Sequence, residues 1–305
     1  MKSQQRTIAI CFFFVSFLIS GCGTGQSFDP ALTSTPAPKP TAAMTVQPGD
    51  SERTLTVNGL ERSYQLHIPP GLDSLQAVPV VFVFHGLGIG SMPESMPLLT
   101  GFDEVADTAG FLVVYPTGIG LSWNAGSCCE YAFRANVDDQ AFVRQILSDL
   151  ETIVSIDQDR IYATGVSNGA QLAYRLGCEM SDTFAAIAPV SDALVFSPCQ
   201  PQEAVSLMHV HGLKDTVTPF EGGGVYDIQP VEQIIAAWVQ LDECTGSAKV
   251  EQQGTIITHT SYDSCRAGAA VELYTIGPGG HEWPSKYVWP AAQIIWDFFA
   301  AHPKP

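Results

Sequence analysis

A serine lies between two glycines, Gly165-Val-Ser167-Asn-Gly169, where a run of apolar and β-branched residues meets a helix-like pattern. Gly-x-Ser-x-Gly alone arises by chance in about one chain of this length in ten, so its position between a strand and a helix carries the argument. A turn from strand to helix within about three residues crowds the backbone around the serine, and only glycines avoid the collision. Such a turn raises the hydroxyl above the sheet. We therefore predict that Ser167 is a nucleophile.

A serine hydroxyl needs a base to take its proton and an acid to orient that base. In a strand-turn-helix arrangement, the acid and then a histidine follow the serine along the chain. His281 fits best among the seven histidines, because it lies in a glycine-rich loop directly after the last predicted strand. Asp215 follows another predicted strand and fits as the acid, with Asp192, after an earlier strand, as the alternative.

The tetrahedral intermediate of acyl transfer carries an oxyanion, which two backbone N–H groups stabilise. We expect one from Asn168 and the other from Leu87, in the glycine-containing loop after an apolar run. Asp138 and Asp139 precede the serine at a predicted helix start, so we interpret them as caps and dipole partners. No Cys-x2-Cys or His-x3-His spacing occurs, and we expect neither a metal nor a cofactor.

The elements that must position these residues alternate between apolar runs and helical patterns, which is typical of parallel strands joined by crossover helices. Strands are predicted at residues 79–86, 111–118, 160–165, 184–191, 205–212 and 271–277. Helices are predicted at residues 137–156, 169–177, 231–241 and 290–302. Two segments upstream, 53–59 and 62–70, predict an antiparallel hairpin at the sheet edge. The fold class is therefore α/β with a mostly parallel, doubly wound sheet, whose reactive groups collect at the carboxyl ends of the strands.

Residues 1–22 are typical of a targeting segment. Lys2 and Arg6 give a basic start, and the apolar stretch that follows is shorter than the roughly 20 residues that span a bilayer. The segment ends in Ile-Ser-Gly-Cys22, which resembles the bacterial lipobox, so we expect Cys22 to carry a lipid. An ordinary secretory signal is the alternative, and both interpretations predict export.

Residues 23–50 contain five prolines among threonine, alanine and glycine, and predict a disordered tether. Residues 51–305 suit one folded domain. Without the two basic residues of the targeting segment, 12 basic residues stand against 31 acidic ones, a formal charge of −19. Such a surface repels nucleic acid and anionic lipid, so we expect no nucleic-acid partner and membrane contact through the lipid anchor only.

Six cysteines remain after the targeting segment, an even number that in an exported chain predicts disulfides. Sequence cannot choose among the possible connectivities. We favour Cys178 with Cys199 and Cys244 with Cys265, because each pair closes a modest loop. Cys128 and Cys129 would then form a vicinal pair.

Six segments in this order, HGLG, WNAGSCC, VDDQAFV, GVSNGA, HGLKDTVTP and GPGGHEWP, resemble exported esterases of the polyhydroxybutyrate depolymerase and feruloyl esterase type. The resemblance covers about residues 52–302. It implies an α/β-hydrolase fold, the same triad, and a position near the cleft for Trp123, Asn124 and Trp283. We interpret the two tryptophans as substrate-binding residues, although both could equally belong to the core.

These observations favour a lipid-anchored serine carboxylic-ester hydrolase that acts through an acyl-enzyme. Its expected substrates are feruloyl or acetyl esters of plant polysaccharide, or hydroxyalkanoate polyesters. A serine peptidase of the same fold is one alternative. A surface binding protein on an inactive hydrolase scaffold is another, which the complete triad disfavours.

Overall fold

The computed structural model describes residues 47–72, 76–88, 93–195, 197–224 and 226–305. The predicted targeting segment, Cys22 and most of the predicted tether lie outside these residues. The first strand begins at Gly49, two residues before the predicted domain boundary. Within the described ranges, no helix has the length and apolar character needed to cross a membrane.

One mixed sheet organises the domain, and its described part has ten strands. They are β1 (Gly49–Val57), β2 (Leu60–Ile68), β3 (Val78–Phe84), β4 (Leu112–Pro116), β5 (Ile156–Val166), β6 (Ala186–Val190), β7 (Ser206–Gly212), β8 (Lys249–Gln253), β9 (Ile257–Tyr262) and β10 (Val271–Ile276). Their order across the sheet is β1-β2-β4-β3-β5-β6-β7-β10-β9-β8. The six strands from β4 to β10 run parallel, which confirms the predicted fold class.

Antiparallel hairpins close both edges of the sheet. The β1–β2 hairpin confirms the prediction at the N-terminal side. The β8–β9 hairpin at the other edge was not predicted, because all five residues of β8 are exposed and most are polar. An edge hairpin of this kind lacks the alternating apolar pattern by which strands are recognised.

Helices cover both faces of the sheet. They are α1 (Met96–Thr100), α2 (Phe102–Ala109), α3 (Glu130–Arg134), α4 (Asp139–Leu150), α5 (Asn168–Glu179), α6 (Val231–Leu241) and α7 (Ala291–Ala301). The first three are short and were not predicted, whereas the other four match the predicted helices. Apolar residues of α4, α5 and α6 pack on one face, and those of α2 and α7 pack on the other.

Three disulfides join the predicted pairs of cysteines. Cys128 is bonded to its neighbour Cys129. Cys178 at the end of α5 is bonded to Cys199, and Cys244 after α6 is bonded to Cys265. The latter two each span 21 positions, a loop for which a disulfide contributes on the order of 3 kcal/mol by restricting the unfolded chain.

Candidate active site

Ser167 lies in the turn between β5 and α5 in the predicted strained conformation, with φ 56° and ψ −126°. A Cβ added at Gly165 would lie 2.7 Å from the carbonyl carbon of Gly169, which confirms the predicted collision. A Cβ at Gly169 would lie 2.3 Å from the carbonyl oxygen of Phe84, at the end of β3. The absence of a Cβ therefore allows two close backbone approaches. Gly165 approaches Gly169 within the turn, and Gly169 approaches the end of β3.

The three predicted triad side chains meet at this edge of the sheet. His281 Nε2 lies 2.8 Å from Ser167 Oγ, and His281 Nδ1 lies 2.8 Å from Asp215 Oδ2. An ionised carboxylate can only accept, so the imidazole carries its proton on Nδ1 and leaves the Nε2 lone pair for the serine hydroxyl. The arrangement can therefore remove the Ser167 proton and stabilise the imidazolium that results.

Asp215 is held by the loop that follows β7. Its Oδ1 accepts hydrogen bonds from the backbone N–H groups of Val217 and Thr218, both at 2.9 Å. The Thr218 hydroxyl lies 3.0 Å from Oδ2 and 3.1 Å from His281 Nδ1. Burial opposes ionisation, but the hydrogen bonds from His281 and the loop outweigh it and hold the Asp215 pKa below its usual value. Asp215 is therefore a carboxylate at neutral pH.

Asp192, the alternative acid, does not contact the histidine. Its side chain is buried and its Oδ1 accepts a hydrogen bond from Ala193 N at 2.7 Å. Burial raises the Asp192 pKa to about 7, so much of this group is protonated near neutrality. A neutral carboxyl would stabilise an imidazolium poorly. The geometry thus selects Asp215.

The loops that carry the acid and the histidine are joined backbone to backbone. Lys214 N donates to Gly279 O at 2.8 Å. A Cβ added at Gly212 would lie 2.4 Å from that same carbonyl oxygen, so only glycine allows the contact. On the other side, Ser191 Oγ donates to Glu282 O at 2.8 Å. Gly212 was not among the predicted site residues, although a glycine at the end of a buried strand can indicate such a close contact.

The two candidate oxyanion groups flank the nucleophile turn. Asn168 is the first residue of α5, and a helix's first N–H groups have no partner within the helix. Leu87 follows β3, and its N–H donates no backbone hydrogen bond to the residues that the structure describes. His85 restrains this loop, since its Nε2 accepts from Gly118 N at 2.9 Å and its Nδ1 therefore donates to Gly86 O at 2.6 Å. The sequence predicted no role for His85, because its partner Gly118 lies 33 positions away.

Both tryptophans are buried, which favours the core alternative, and their substrate-binding role stays a prediction. Trp123 is fully buried, and its indole N–H donates to His85 O at 2.9 Å. Trp283 is 5% exposed and packs edge-on against Phe102. Asn124 is also buried and donates to Val137 O at 3.0 Å. The two tryptophans bury large apolar side chains in the core next to the site, and Asn124 is buried with its hydrogen bond satisfied.

The interpretation of the two aspartates at the start of α4 as caps is confirmed for one of them. Asp138 caps the helix by accepting from Ala141 N at 2.9 Å. Asp139 instead forms a buried ion pair with Arg62 at 2.9 Å, and its other oxygen accepts from Asn124 N at 2.8 Å. This pair ties β2 and α4 to the segment beneath the nucleophile. A lone aspartate in a helix start gives no sequence signal for such a partner.

One group away from the catalytic edge offers donor atoms for a cation. The ligand atoms of Asp50, His67 and Asp103 lie within 4.8 Å of one another. Burial lowers the His67 pKa, but the hydrogen bonds that its imidazole donates to Asp50 and Asp107 and the charge of Asp103 outweigh it and raise the pKa overall. A raised pKa favours the charged imidazole, which can balance these carboxylates without a cation.

Comparison with protein families finds a match to the family described as Esterase PHB depolymerase, over residues 62–271. Among individual relatives, NocK of Nocardia uniformis subsp. tsuyamanensis, which bears an esterase name, is 30% identical over 76% of this chain and 73% of its own length. Feruloyl esterase B of Piromyces equi is 28% identical over 75% of this chain. This chain covers only 44% of that relative.

Solved structures show the same fold at low sequence identity. The acetyl xylan esterase from Aspergillus awamori superimposes with a TM-score of 0.59 at 14% identity, over 82% of this chain and 99% of that one. The feruloyl esterase module from Clostridium thermocellum, an S954A mutant with sinapinate, gives 0.56 at 14% identity, over 87% and 93%. At this identity the likeness concerns the fold, which is that of the α/β-hydrolases. The family match covers more than half of the sequence, and the chain therefore belongs to the Esterase PHB depolymerase family of ester hydrolases.

Proposed function

We propose that this protein is a serine carboxylic-ester hydrolase that forms an acyl-enzyme at Ser167. The observation that carries the proposal is the continuous hydrogen-bonded chain from Ser167 Oγ through His281 to Asp215, with both contacts at 2.8 Å. The names of the relatives support ester hydrolysis, whereas the roles of individual residues are inferred from the geometry alone.

In the first half-reaction, Ser167 Oγ attacks the ester carbonyl carbon as its proton passes to His281 Nε2. The N–H groups of Leu87 and Asn168 stabilise the oxyanion, and Asp215 stabilises the imidazolium. The tetrahedral intermediate collapses when the C–O bond to the alcohol breaks and His281 returns the proton to that oxygen. Water, deprotonated by His281, then attacks the carbonyl carbon of the acyl-enzyme. The bond from that carbon to Ser167 Oγ breaks as His281 returns the proton to Oγ, which releases the carboxylic acid.

The substrate classes that we propose are feruloyl and acetyl esters of plant polysaccharide and hydroxyalkanoate esters. The decisive experiment measures initial rates of the purified protein on p-nitrophenyl acetate, methyl ferulate, acetylated xylan and soluble hydroxybutyrate oligomers. Ser167→Ala serves as the control, and mass spectrometry after treatment with a fluorophosphonate locates the reactive serine. Turnover that Ser167→Ala abolishes, with labelling at Ser167, supports the proposal. A flat result on all four substrates together with no labelling would favour a binding protein on an inactive scaffold.

We further propose that the protein is exported and lipidated at Cys22, which rests on the basic start, the apolar stretch and the lipobox-like end of residues 1–22. The three disulfides suit an oxidising compartment. Labelling with radioactive palmitate in a bacterial host tests this proposal. The wild type should incorporate label in the membrane fraction, and Cys22→Ser should not. Equal labelling of both would overturn the lipid anchor.

A further inference from the structure

Two histidines of β7 are buried behind the catalytic acid, and the reaction itself does not use them. His209 and His211 are both fully buried, and both point to the face of the sheet that carries α5 and α6. Strand positions on a buried face normally hold apolar residues, and a buried polar side chain needs hydrogen-bond partners. The partners of these two imidazoles form one continuous chain.

The chain starts at the nucleophile helix and ends at the acid loop. The Tyr174 hydroxyl lies 2.6 Å from His209 Nδ1. His209 Nε2 lies 3.0 Å from His211 Nδ1, and the two rings are stacked with an interplanar angle of 11°. His211 Nε2 lies 2.8 Å from the carbonyl oxygen of Thr218. Thr218 is the residue whose N–H and hydroxyl both bind Asp215.

The direction of every hydrogen bond in the chain follows from the bond between His211 Nε2 and the Thr218 carbonyl oxygen. A carbonyl oxygen can only accept, so His211 carries a proton on Nε2. If the imidazole is neutral, its Nδ1 must accept, which places the donated proton on His209 Nε2. His209 Nδ1 then accepts in turn, from the Tyr174 hydroxyl. Burial lowers the pKa of both histidines, and the charge of His211 lowers the His209 pKa further, so neutral rings fit the site.

This single tautomer matters because His211 Nε2 also lies 3.7 Å from Asp215 Oδ2. With the proton on Nε2, a positive N–H dipole faces both the carboxylate and the Thr218 carbonyl. The opposite tautomer would turn a lone pair toward two oxygens and repel the loop. The chain therefore fixes the loop position and favours the ionised form of Asp215.

We propose that Tyr174, His209 and His211 are positioning residues, which hold the Asp215 loop in register with the nucleophile helix through a one-directional chain of hydrogen bonds. This inference rests on the proposed function, since it assigns the acid loop a role in turnover. The chain touches no reacting atom. Its effect should therefore appear in kcat and leave KM nearly unchanged.

The test compares three variants with p-nitrophenyl acetate as the substrate. His211→Leu removes the donor to Thr218, and we expect kcat to fall about thirtyfold or more with KM within about twofold. His211→Gln places an amide N–H near the Nε2 position and should restore most of the lost rate. Tyr174→Phe should lower kcat about fivefold. Tyr162→Phe, which removes a buried hydroxyl outside the chain, is the matched control and should leave kcat unchanged.

Two readouts that need no turnover separate this inference from the proposed function. Nitrogen NMR shifts should show both histidines neutral with the proton on Nε2, and fluorophosphonate labelling of Ser167 should slow in His211→Leu. If His211→Leu fails to fold, Tyr174→Phe and the NMR shifts decide. Folded chain variants that hydrolyse and label like the wild type, or a proton found on Nδ1, would overturn the positioning role alone. A wild type inert to both esters and fluorophosphonate would overturn the proposed function as well.

Discussion

The side-chain amide of Asn168 pairs with both backbone groups of Trp123. Its Oδ1 accepts from Trp123 N at 2.7 Å, and its Nδ2 donates to Trp123 O at 3.2 Å. Asn168 is also the residue whose own backbone N–H faces the proposed oxyanion. In the proposed mechanism one residue thus offers its backbone N–H to the substrate, while its side chain anchors the backbone of Trp123.

Removing this amide should destabilise the protein. Asn168→Ala leaves the buried N–H of Trp123 without its acceptor, and we expect the free energy of unfolding to fall by about 1–3 kcal/mol. Urea denaturation followed by tryptophan fluorescence measures the change. Gln293→Ala, on the exposed face of α7, should change it by less than about 0.5 kcal/mol. Equal stability of the two variants would contradict the anchoring role.

Exchange of the acid should separate Asp215 from Asp192. Asp215→Asn cannot hold the proton of His281 on Nδ1, so we expect kcat on p-nitrophenyl acetate to fall by about 10⁴ with a native circular dichroism spectrum. Asp192→Asn is the matched control at the neighbouring strand end, and kcat should stay within about tenfold of the wild type. The reverse ranking would make Asp192 the acid.

A methyl group at Gly169 should disrupt the nucleophile turn. The Cβ of Gly169→Ala would lie 2.3 Å from the Phe84 carbonyl oxygen and 2.6 Å from that of His85, both backbone atoms that cannot yield cheaply. We expect a loss of about 1–3 kcal/mol in unfolding free energy and a larger loss of activity. Gly246→Ala, whose nearest contact would be 3.4 Å away, should behave like the wild type in thermal melts and turnover.

The buried ion pair of Arg62 and Asp139 predicts a strong non-additive effect. Asp139→Ala leaves the Arg62 charge buried and should cost about 3–5 kcal/mol, whereas Arg62→Met combined with Asp139→Leu should recover much of that loss. A double-mutant cycle in urea measures the coupling. Glu104→Ala breaks the exposed pair with Lys286 and should cost less than about 1 kcal/mol. Additive effects at the buried pair would show that the two charges are independently solvated.

The buried carboxyls of Asp192 and Asp242 should each lower the stability as the pH rises from about 4 to about 7, whereas the lowered pKa values of the buried His209 and His211 act in the opposite direction. Burial raises the pKa of Asp192 and of Asp242 to about 7, whereas an unfolded chain holds an aspartate near 4. Within this window each carboxyl binds more protons in the native state than in the unfolded chain, so each subtracts about 1.4 kcal/mol of stability per pH unit. Urea denaturation across this range measures the slope of the unfolding free energy against pH. Asp242→Asn should make that slope more positive by about 1.4 kcal/mol per pH unit. An unchanged slope in that variant would place the Asp242 pKa at its ordinary value.

The sequence predicted the parallel strands and the triad because both leave strong local signals. Residues 161–164 form a run of apolar and β-branched residues before Gly-x-Ser-x-Gly, and His281 follows a strand inside a glycine-rich loop. The order in which the acid and then the histidine follow the serine along the chain selected the other two candidates. These features depend on short segments, so a single sequence suffices to find them.

The supporting contacts were beyond sequence reasoning because each joins distant segments. Nothing near Asp139 points to Arg62, and nothing in the apolar run around His209 identifies Tyr174 as its partner. Trp123 is a second example of a role that the sequence alone could not decide. An aromatic residue in a motif near the cleft suits a binding role and a core role equally well, and only the packing decides.

The acid and the base leave adjacent strands, since Gly212 at the end of β7 pairs in register with Ile276 at the end of β10. The described residues between 219 and 270, which include α6 and the β8–β9 hairpin, therefore leave one sheet position and return beside it. Changes of length at the exposed strand β8 should therefore leave the ends of β7 and β10 adjacent, and with them the loops that carry the acid and the base.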